Sequence, residues 1–449
     1  MPISRRDFIR SITAAGASLA AARYALGEVA PVASKPAADE LRVAIIGAGK
    51  QGRVLLESCI RIPGLRFVGV CDIWKYSQQY ASNFLRKYGH TINVYEDYRE
   101  MLDKEKGLHA VIVASPDWMH AEHANACMKA GLHVYCEKEM SNSLEKASTM
   151  VETQRATGKL LQIGHQRRSN PRYIHAIDKL IHEHSLLGRV THANAQWNRA
   201  VSEDLAVAPK LAMSGDQLAK YGYNSMHEFL NWRWFKKFGG GPIVDLGSHQ
   251  IDLFSWVYGV NPKSVIASGG IDYYKTHEWY DNVMCIYEFE NKRGVSRAYY
   301  QVLTTTSCGG FKEGFLGENG NIAIAEIPAL GNTVTPEVKA NEKGEWELYV
   351  KQGLLGPVRA PIRPVATKNT FVDSRAGTIA GGSGYPIPIE LAKPAHQSHL
   401  ENFFGAIRSG VKLNCPGEVG YETAVAVLAC NEAVRTNQKI EFKPEQFRI

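Results

Sequence analysis

The sequence predicts two domains: an N-terminal α/β unit with a doubly wound parallel sheet, then an α+β unit with a large, open, mostly antiparallel sheet. Three observations predict this. Short apolar, β-branched runs alternate with helical patterns from residue 42 to residue 164. A glycine-rich turn joins the first run to the first helix. After Arg172 the texture changes to longer alternating runs, as half-buried antiparallel strands show. Residues 1–35 read as a leader and linker, 36–165 as the first domain and 166–449 as the second; at roughly 150 residues per domain, 449 residues suffice for both.

The elements follow in order. Arg42-Val43-Ala44-Ile45-Ile46 is a buried strand, and Val54–Ile60 is a helix that ends at Pro63-Gly64. Phe67–Cys71 is a second strand. A helix near Tyr98–Leu102 precedes the strand Ala110–Ala114, which Ser115-Pro116 ends. Helix Ala121–Lys129 closes at Gly131, and strands His133–Cys136 and Leu160–Gly164 complete the sheet. In the second domain the strands are Val190–Trp197, Val265–Gly269, Val283–Phe289, Val295–Val302, Asn321–Ala325 and Trp346–Val350. Gly353–Pro388 reads as a long loop, and helices return at Ser398–Ile407 and Val425–Val434.

Gly47-Ala48-Gly49-Lys50-Gln51-Gly52 is G-x-G-x-x-G at a strand-to-helix turn, a Rossmann-type fingerprint. Gly47 permits the tight turn, Gly49 lets backbone approach a pyrophosphate, and Gly52 permits close helix–strand packing. The helix start, with Lys50 and Gln51, offers amide donors and the positive end of a dipole. Asp72 ends the second strand, 25 positions after Gly47, where a carboxylate binds a ribose 2′-hydroxyl and repels a 2′-phosphate. NAD is therefore favoured over NADP, although Lys75 stands nearby. The competing role for Asp72 is a helix cap before Trp74. Ser115, Pro116 and His120 after the fourth strand, and Glu137 and Lys138 after the fifth, stand at carboxyl strand ends, where cofactor contacts gather. His120 and His123 also have ligand-like spacing; they read as helix-start and surface residues, with His120 alternatively bordering the nicotinamide.

The G-x-G-x-x-G turn, Glu137-Lys138 and the run Gly239-Gly240-Gly241-Pro242-Ile243-Val244-Asp245-Leu246-Gly247-Ser248-His249 together resemble the glucose–fructose oxidoreductase, inositol dehydrogenase and MocA-type (Gfo/Idh/MocA) family. The resemblance runs through residues 41–449. The family usually has Glu-Lys-Pro, and Glu139 stands here for the proline. The resemblance implies NAD(P)-linked oxidation or reduction at a sugar or polyol carbon. It also implies dimers or tetramers built through the open sheet face, and acid–base use of the Lys, Asp and His.

The residues support that chemistry directly. If Gly241-Pro242 opens a helix, Asp245 and His249 share one face, with Asp252 on the same stripe. Flanking carboxylates would orient the imidazole and make it more basic. Alcohol oxidation needs a hydride acceptor and a proton acceptor; His249 or Lys138 takes the proton, and Asp245 holds hydroxyls or orients His249. Arg168, Trp197 and Arg233 are the further expected substrate ligands, with Asn198, Arg199, Tyr223, Trp232 and Trp234 nearby. Ala200–Met226 reads as an insertion placed to cover the site. The competing readings of Asp245 and His249 are a helix cap with a buried histidine, and a metal site; no metal is expected. Beside a dehydrogenase or reductase stand two alternatives: a redox-neutral sugar oxidoreductase or NAD-dependent glycosidase with a non-dissociating cofactor, and a non-catalytic dinucleotide-binding protein.

Composition excludes other classes. Hydrophobic residues are 45% and charged residues 22%, and 8 Trp, 20 Tyr and 15 Phe exclude disorder as the main theme. No apolar run reaches 18 residues. The formal charge of +7 is small and scattered, so no nucleic-acid partner is expected. The eight cysteines (Cys59, Cys71, Cys127, Cys136, Cys285, Cys308, Cys415, Cys430) form no CxxC pair, and no disulfide framework is expected. Ser4-Arg5-Arg6-Asp7-Phe8-Ile9, followed by the small-residue stretch Ala14–Ala22, resembles a twin-arginine export leader cleaved between residues 22 and 40, with Pro31 and Pro36 in the linker. That places the mature protein in the periplasm or another extracytoplasmic space and implies the twin-arginine export machinery as a partner. Because that route carries folded proteins, it also implies a tightly held cofactor.

Overall fold

A computed structural model describes residues 39–337, 340, 344–358 and 384–449. The leader expected over residues 1–35 lies outside the described residues, as does most of the long loop expected over Gly353–Pro388.

The first domain is β1 (Leu41–Ile46), α1 (Lys50–Cys59), β2 (Leu65–Cys71), α2 (Lys75–Lys87), β3 (Asn93–Tyr95), α3 (Tyr98–Lys104), β4 (Ala110–Val113), α4 (Asp117–Lys129), β5 (His133–Cys136), α5 (Leu144–Thr157) and β6 (Leu161–Ile163). Its six strands are all parallel, in the order β3-β2-β1-β4-β5-β6. Val43, Ala44 and Ile45 are fully buried because helices cover both faces. The order reverses between β1 and β4, and the carboxyl ends of the strands there open the crevice where such sheets bind ligands.

The chain continues through α6 (Pro171–Ile174, running on as a π-helix over His175–Glu183), β7 (Val190–Asn198), α7 (Gly215–Lys220), α8 (Met226–Leu230), α9 (Gly241–Asp245) and α10 (Gly247–Tyr258). Then come β8 (Ser264–Gly270), β9 (Asn282–Asn291), β10 (Gly294–Leu303), β11 (Phe311–Gly317), β12 (Gly320–Ile324), β13 (Asn332–Pro336), α11 (Trp346–Lys351), β14 (Tyr385–Pro386), α12 (Gln397–Ser409), α13 (Gly417–Thr436) and β15 (Ile440–Glu441). Among the described residues the second sheet has nine strands, ordered β14-β13-β12-β11-β7-β10-β9-β8-β15. Of the pairs so described, β7–β10 is parallel and the others are antiparallel. Strand β9 shows the alternation: Val283, Cys285, Tyr287 and Phe289 are buried against α10 and α13, while Met284 and Ile286 face outward.

Two features depart from the sequence reading. Trp346–Val350 is a helix, not a strand. Trp346, Tyr349 and Val350 reach the core at i, i+3 and i+4, and Leu348 is 56% exposed; over five residues both periods fit the same apolar pattern. Helix α12 joins the first domain: Leu400, Phe403 and Phe404 pack with Leu55, Phe67 and Tyr135. All eight cysteines are free, and only Cys308 is exposed. Among the described residues no helix is long and apolar enough to cross a membrane.

Candidate active site

The glycine turn sits between β1 and α1. A Cβ on Gly47 (φ +90°) would lie 2.5 Å from the Ala114 carbonyl carbon, and one on Gly52 would lie 2.1 Å from the Gly47 oxygen. A Cβ on Gly49 would meet nothing within 4 Å. The first and third glycines are thus required by packing, and the second faces open space at the mouth of the crevice. No side chain caps α1 and its first turn holds no acid, so its amides are available to an anion. Lys50 is exposed beside them. These features fit a dinucleotide pyrophosphate. Asp72 accepts from the amides of Ala48 (2.7 Å) and Trp74 (2.8 Å), tying the turn to the end of β2. Both expected roles, sugar ligand and turn cap, fit that position, since each carboxylate oxygen keeps a second lone pair. Burial lifts Asp72 to about 6, against the pull of the two amides.

Further along the crevice, Gln51 donates to Glu137 (3.1 Å) and lies 3.0 Å from His396 of the segment leading into α12. The Ser115 hydroxyl meets His123 Nδ1 at 2.9 Å, beside Pro116. His120 is buried with its ring nitrogens 2.7 Å from the carbonyl oxygens of Ser115 and Glu139. It therefore braces the ends of β4 and β5 and has no nitrogen left for a ligand.

Lys138, at the end of β5, reaches the second domain. Its Nζ donates to the Asp245 backbone carbonyl and lies 3.3 Å from Asp245 Oδ1. Arg233 Nε donates to the same Oδ1 at 3.0 Å. Burial pushes the Asp245 carboxyl up, but Arg233, Lys138 and Arg199 outweigh it and hold it well below the usual range. Asp245 is therefore a fixed anion. Asp117, absent from the sequence reading, is buried beside this group. Burial lifts it to about 7, with the Asp245 charge adding to the rise and Arg233 and Lys138 opposing it.

The helix carrying Asp245 and His249 is broken. α9 ends at Asp245, α10 begins at Gly247, and Leu246 (φ −104°) lies between. The Asp245 carboxylate turns to Arg233 and Lys138, and Asp252 is taken by Arg168 (Nε to Oδ1, 2.8 Å, and to Oδ2, 2.9 Å) and by Thr423 (3.0 Å). The expectation that flanking carboxylates make His249 more basic is thereby corrected. Burial, then the charges of Lys138 and Arg167, hold this imidazole well below its ordinary value, and its Nδ1 is buried without a partner. His249 is neutral and lies within the charge field of Lys138.

Two expected substrate ligands are otherwise engaged. Arg168 spends its guanidinium on Asp252 beneath the site. Trp197 stacks with His249 (5.5 Å, 26°) and with Phe311 (4.8 Å, 24°), so its ring is engaged in supporting the imidazole. Arg233 is half-exposed and Arg199 is exposed above Trp197. Tyr223 is buried, and Trp234 stacks on His277 at 3.7 Å. Among the described residues no group of three or more His, Cys, Asp or Glu is arranged to hold a metal ion.

The segment expected as a covering insertion crosses onto the first domain. Trp74 Nε1 donates to Leu211 O (2.7 Å), Gln217 to Ile73 O (2.9 Å), Tyr221 to Glu96 (2.6 Å), and Trp118 Nε1 to Tyr223 Oη (3.2 Å). Met213, Leu218, Tyr223 and Phe238 pack with Trp74 and Trp118. The strap therefore spans the carboxyl ends of β2, β3 and β4.

A parallel sheet in this order, with a glycine turn at the reversal point and the Lys138, Asp245 and Arg233 charges held together at the domain junction, has the architecture of a two-domain dinucleotide-binding protein. The chain belongs to the GFO/IDH/MocA family: residues 41–165 match its oxidoreductase domain with NAD-binding Rossmann fold, and residues 174–313 match its C-terminal domain. It is 29% identical over 232 residues to scyllo-inositol 2-dehydrogenase (NADP(+)) of Bacillus subtilis, covering 51% of this chain and 55% of that one. It is 32% identical over 221 residues to D-glucoside 3-dehydrogenase of Escherichia coli, covering 49% and 54%. The chain thus spans about half the length of these curated relatives. Among solved structures, an aldose-aldose oxidoreductase from Caulobacter crescentus complexed with glycerol superposes with TM-score 0.65 at 16% identity, covering 90% of this chain and 100% of that one. The WlbA dehydrogenase from Chromobacterium violaceum, in complex with NADH and UDP-GlcNAcA, gives 0.63 at 17%, covering 93% and 99%. At those identities the likeness is one of fold.

Proposed function

We propose that this protein is a nicotinamide-dependent oxidoreductase acting on a CH–OH carbon of a sugar, sugar derivative or cyclitol. The observation that carries the reading is the junction of Lys138 with Asp245, beside neutral His249, at the carboxyl edge of a dinucleotide-binding sheet. A nicotinamide bound there supplies the hydride acceptor or donor. Lys138 polarises the reacting oxygen, neutral His249 takes or returns its proton, and Asp245, itself held by Arg233, keeps the ammonium in place. Relatives named for scyllo-inositol and D-glucosides support the substrate class. The half-buried Asp72 carboxylate at the end of β2 favours NAD over NADP. The presence of Lys138, Asp245 and His249 together argues against a non-catalytic binding protein.

The strap over β2, β3 and β4 favours a second reading within this class: the cofactor stays bound and the hydride returns to a second sugar or to the same glycoside. Export through the twin-arginine machinery, read from Arg5 and Arg6, accords with it. Outward-facing Met284, Ile286 and Tyr299 on the open sheet support a homodimer or tetramer.

The test is to purify the protein without added nucleotide, denature it and identify any released dinucleotide by mass. About one NAD per chain supports a retained cofactor; an empty protein that binds NAD reversibly supports an exchanging dehydrogenase. Failure to bind any nicotinamide dinucleotide sinks the proposal.

A further inference from the structure

A cavity of about 350 Å³ opens to solvent on the second domain. It lies where the π-helical end of α6, the end of α10, the start of β7 and the β9–β10 turn meet. His249 stands in the first turn of α10, and Tyr258 at the other end lines the cavity. At 1.5 Å per residue the two are about 14 Å apart along the helix. The cavity is therefore separate from the group around Lys138.

Its wall combines apolar Ile181, Val190 and Val257 with two cations, Arg189 and Arg293. The other polar side chains of the wall are committed to backbone. His182 Nε2 lies 3.1 Å from Val257 O, and Asn291 Nδ2 donates to Tyr258 O at 3.2 Å, so the last carbonyls of α10 are taken. Ser296 Oγ donates to Val190 O at 2.9 Å. The arginines each reach the other's segment. Arg189 Nη2 donates to Val295 O at 2.7 Å, and Arg293 Nη1 donates to Gly188 O at 3.4 Å. That crossing lays two guanidiniums side by side. Gly294 makes room for it, since a Cβ there would lie 2.9 Å from Arg189 Nη2.

Among the described residues neither guanidinium has a carboxylate partner. The acids nearby are turned elsewhere: Glu318 accepts from the Arg189 backbone amide at 3.3 Å, and Asp178 accepts from Trp256 Nε1 at 2.9 Å. Two like charges held together repel unless an anion lies between them. A carboxylate is matched by one guanidinium in a bidentate pair. A phosphate monoester carries close to two negative charges and three free oxygens, and engages both arginines.

We propose that this cavity binds a small phosphate monoester, with its phosphate on Arg189 and Arg293 and its body against Ile181, Val190 and Val257. The proposal does not rest on the oxidoreductase reading.

The test is calorimetric titration with phenyl phosphate in excess NAD, which keeps phosphate from the Gly47–Gly52 turn. Wild type binds phenyl phosphate at about millimolar concentration or below, and benzoate at least about tenfold more weakly. Arg189→Gln and Arg293→Gln each weaken phenyl phosphate binding about tenfold or more. Lys292→Gln removes the same charge from the same turn but not from the wall, and changes binding by less than about threefold. No binding by wild type at about 10 mM overturns the inference, and so does equal affinity for benzoate. Unchanged affinity in either arginine variant, or an equal loss in Lys292→Gln, overturns it too, because the anion then sits elsewhere or answers only to surface charge. If Arg189→Gln fails to fold, Arg293→Gln, on an exposed turn, decides against the Lys292→Gln control. Each of these outcomes leaves the oxidoreductase reading where it stands.

Discussion

In the function proposed above, backbone makes the binding surface at Gly47–Gly52, and side chains from two domains make it at Lys138, Asp245 and His249. The first end needs only glycines at set spacings, because what it offers is amide groups and room. The second needs charges of opposite sign held together in a buried place, where each sets the state of the next. Binding at the glycine end therefore tolerates changes in surrounding side chains. The chemistry proposed for the lysine end depends on single atoms.

The sharpest way to break this contrast is to remove the ammonium. Lys138→Ala deletes the group that faces both the Asp245 carbonyl and its carboxylate. Loss of an acid–base group costs roughly 10²–10⁴-fold, so kcat on a wild-type substrate falls by about three orders of magnitude. Dinucleotide affinity, measured by fluorescence titration, stays within a few-fold because the glycine end is untouched. A variant that keeps its turnover removes Lys138 from the chemistry.

The glycine end is sharpened by a pair. Gly52→Ala forces a Cβ to within 2.1 Å of a backbone oxygen. Overpacking of that kind costs about 1–3 kcal/mol of stability. Gly49→Ala meets nothing in the protein, so its stability stays within about 0.5 kcal/mol of wild type, yet its NAD dissociation constant rises about tenfold because the methyl occupies the pyrophosphate's place. Equal melting temperatures for the two variants would contradict the assignment of packing to one glycine and ligand approach to the other.

The same contrast decides what the sequence made legible. The glycine turn could be read because its demands are local, and most strands could be read because their periods are. β3 escaped because it is three residues at a sheet edge, with Asn93 and Val94 exposed. The Lys138–Asp245 junction was approachable only through a family resemblance, since no spacing brings residue 138 to residue 245. Asp117 went unread although it immediately follows the strand-ending turn Ser115-Pro116, and that position is the signal that would have found it. The basicity expected for His249 failed for a tertiary reason: the break at Leu246 turned one carboxylate away, and Arg168, from another element, claimed the other.

The smallest effect concerns Glu139, which stands where the family usually has proline. Its carboxyl is buried, Oε1 accepts from the Met140 amide at 2.7 Å, and Oε2 has no partner. Burial, with Asp117 adding and Met140 and Lys138 opposing, lifts it to about 8. An unfolded glutamate releases its proton near pH 4.3, so between about pH 4.3 and 8 the native state holds a proton that the unfolded chain has lost. Stability therefore falls as pH rises through that window, by at most about 1.4 kcal/mol per pH unit from this residue. Asp117, lifted to about 7, acts with the same sign over the lower part of the window. Glu139→Gln keeps the shape and removes one of the two titrations. Denaturant midpoints at pH 6, 7 and 8 should thus fall less steeply in the variant, and between pH 7 and 8, where Asp117 is mostly ionised, the difference in slope isolates Glu139. Parallel slopes would mean that the carboxyl is already ionised at pH 6, held as a second anion beside Lys138, and the lysine end would then carry one more negative charge than its geometry indicates.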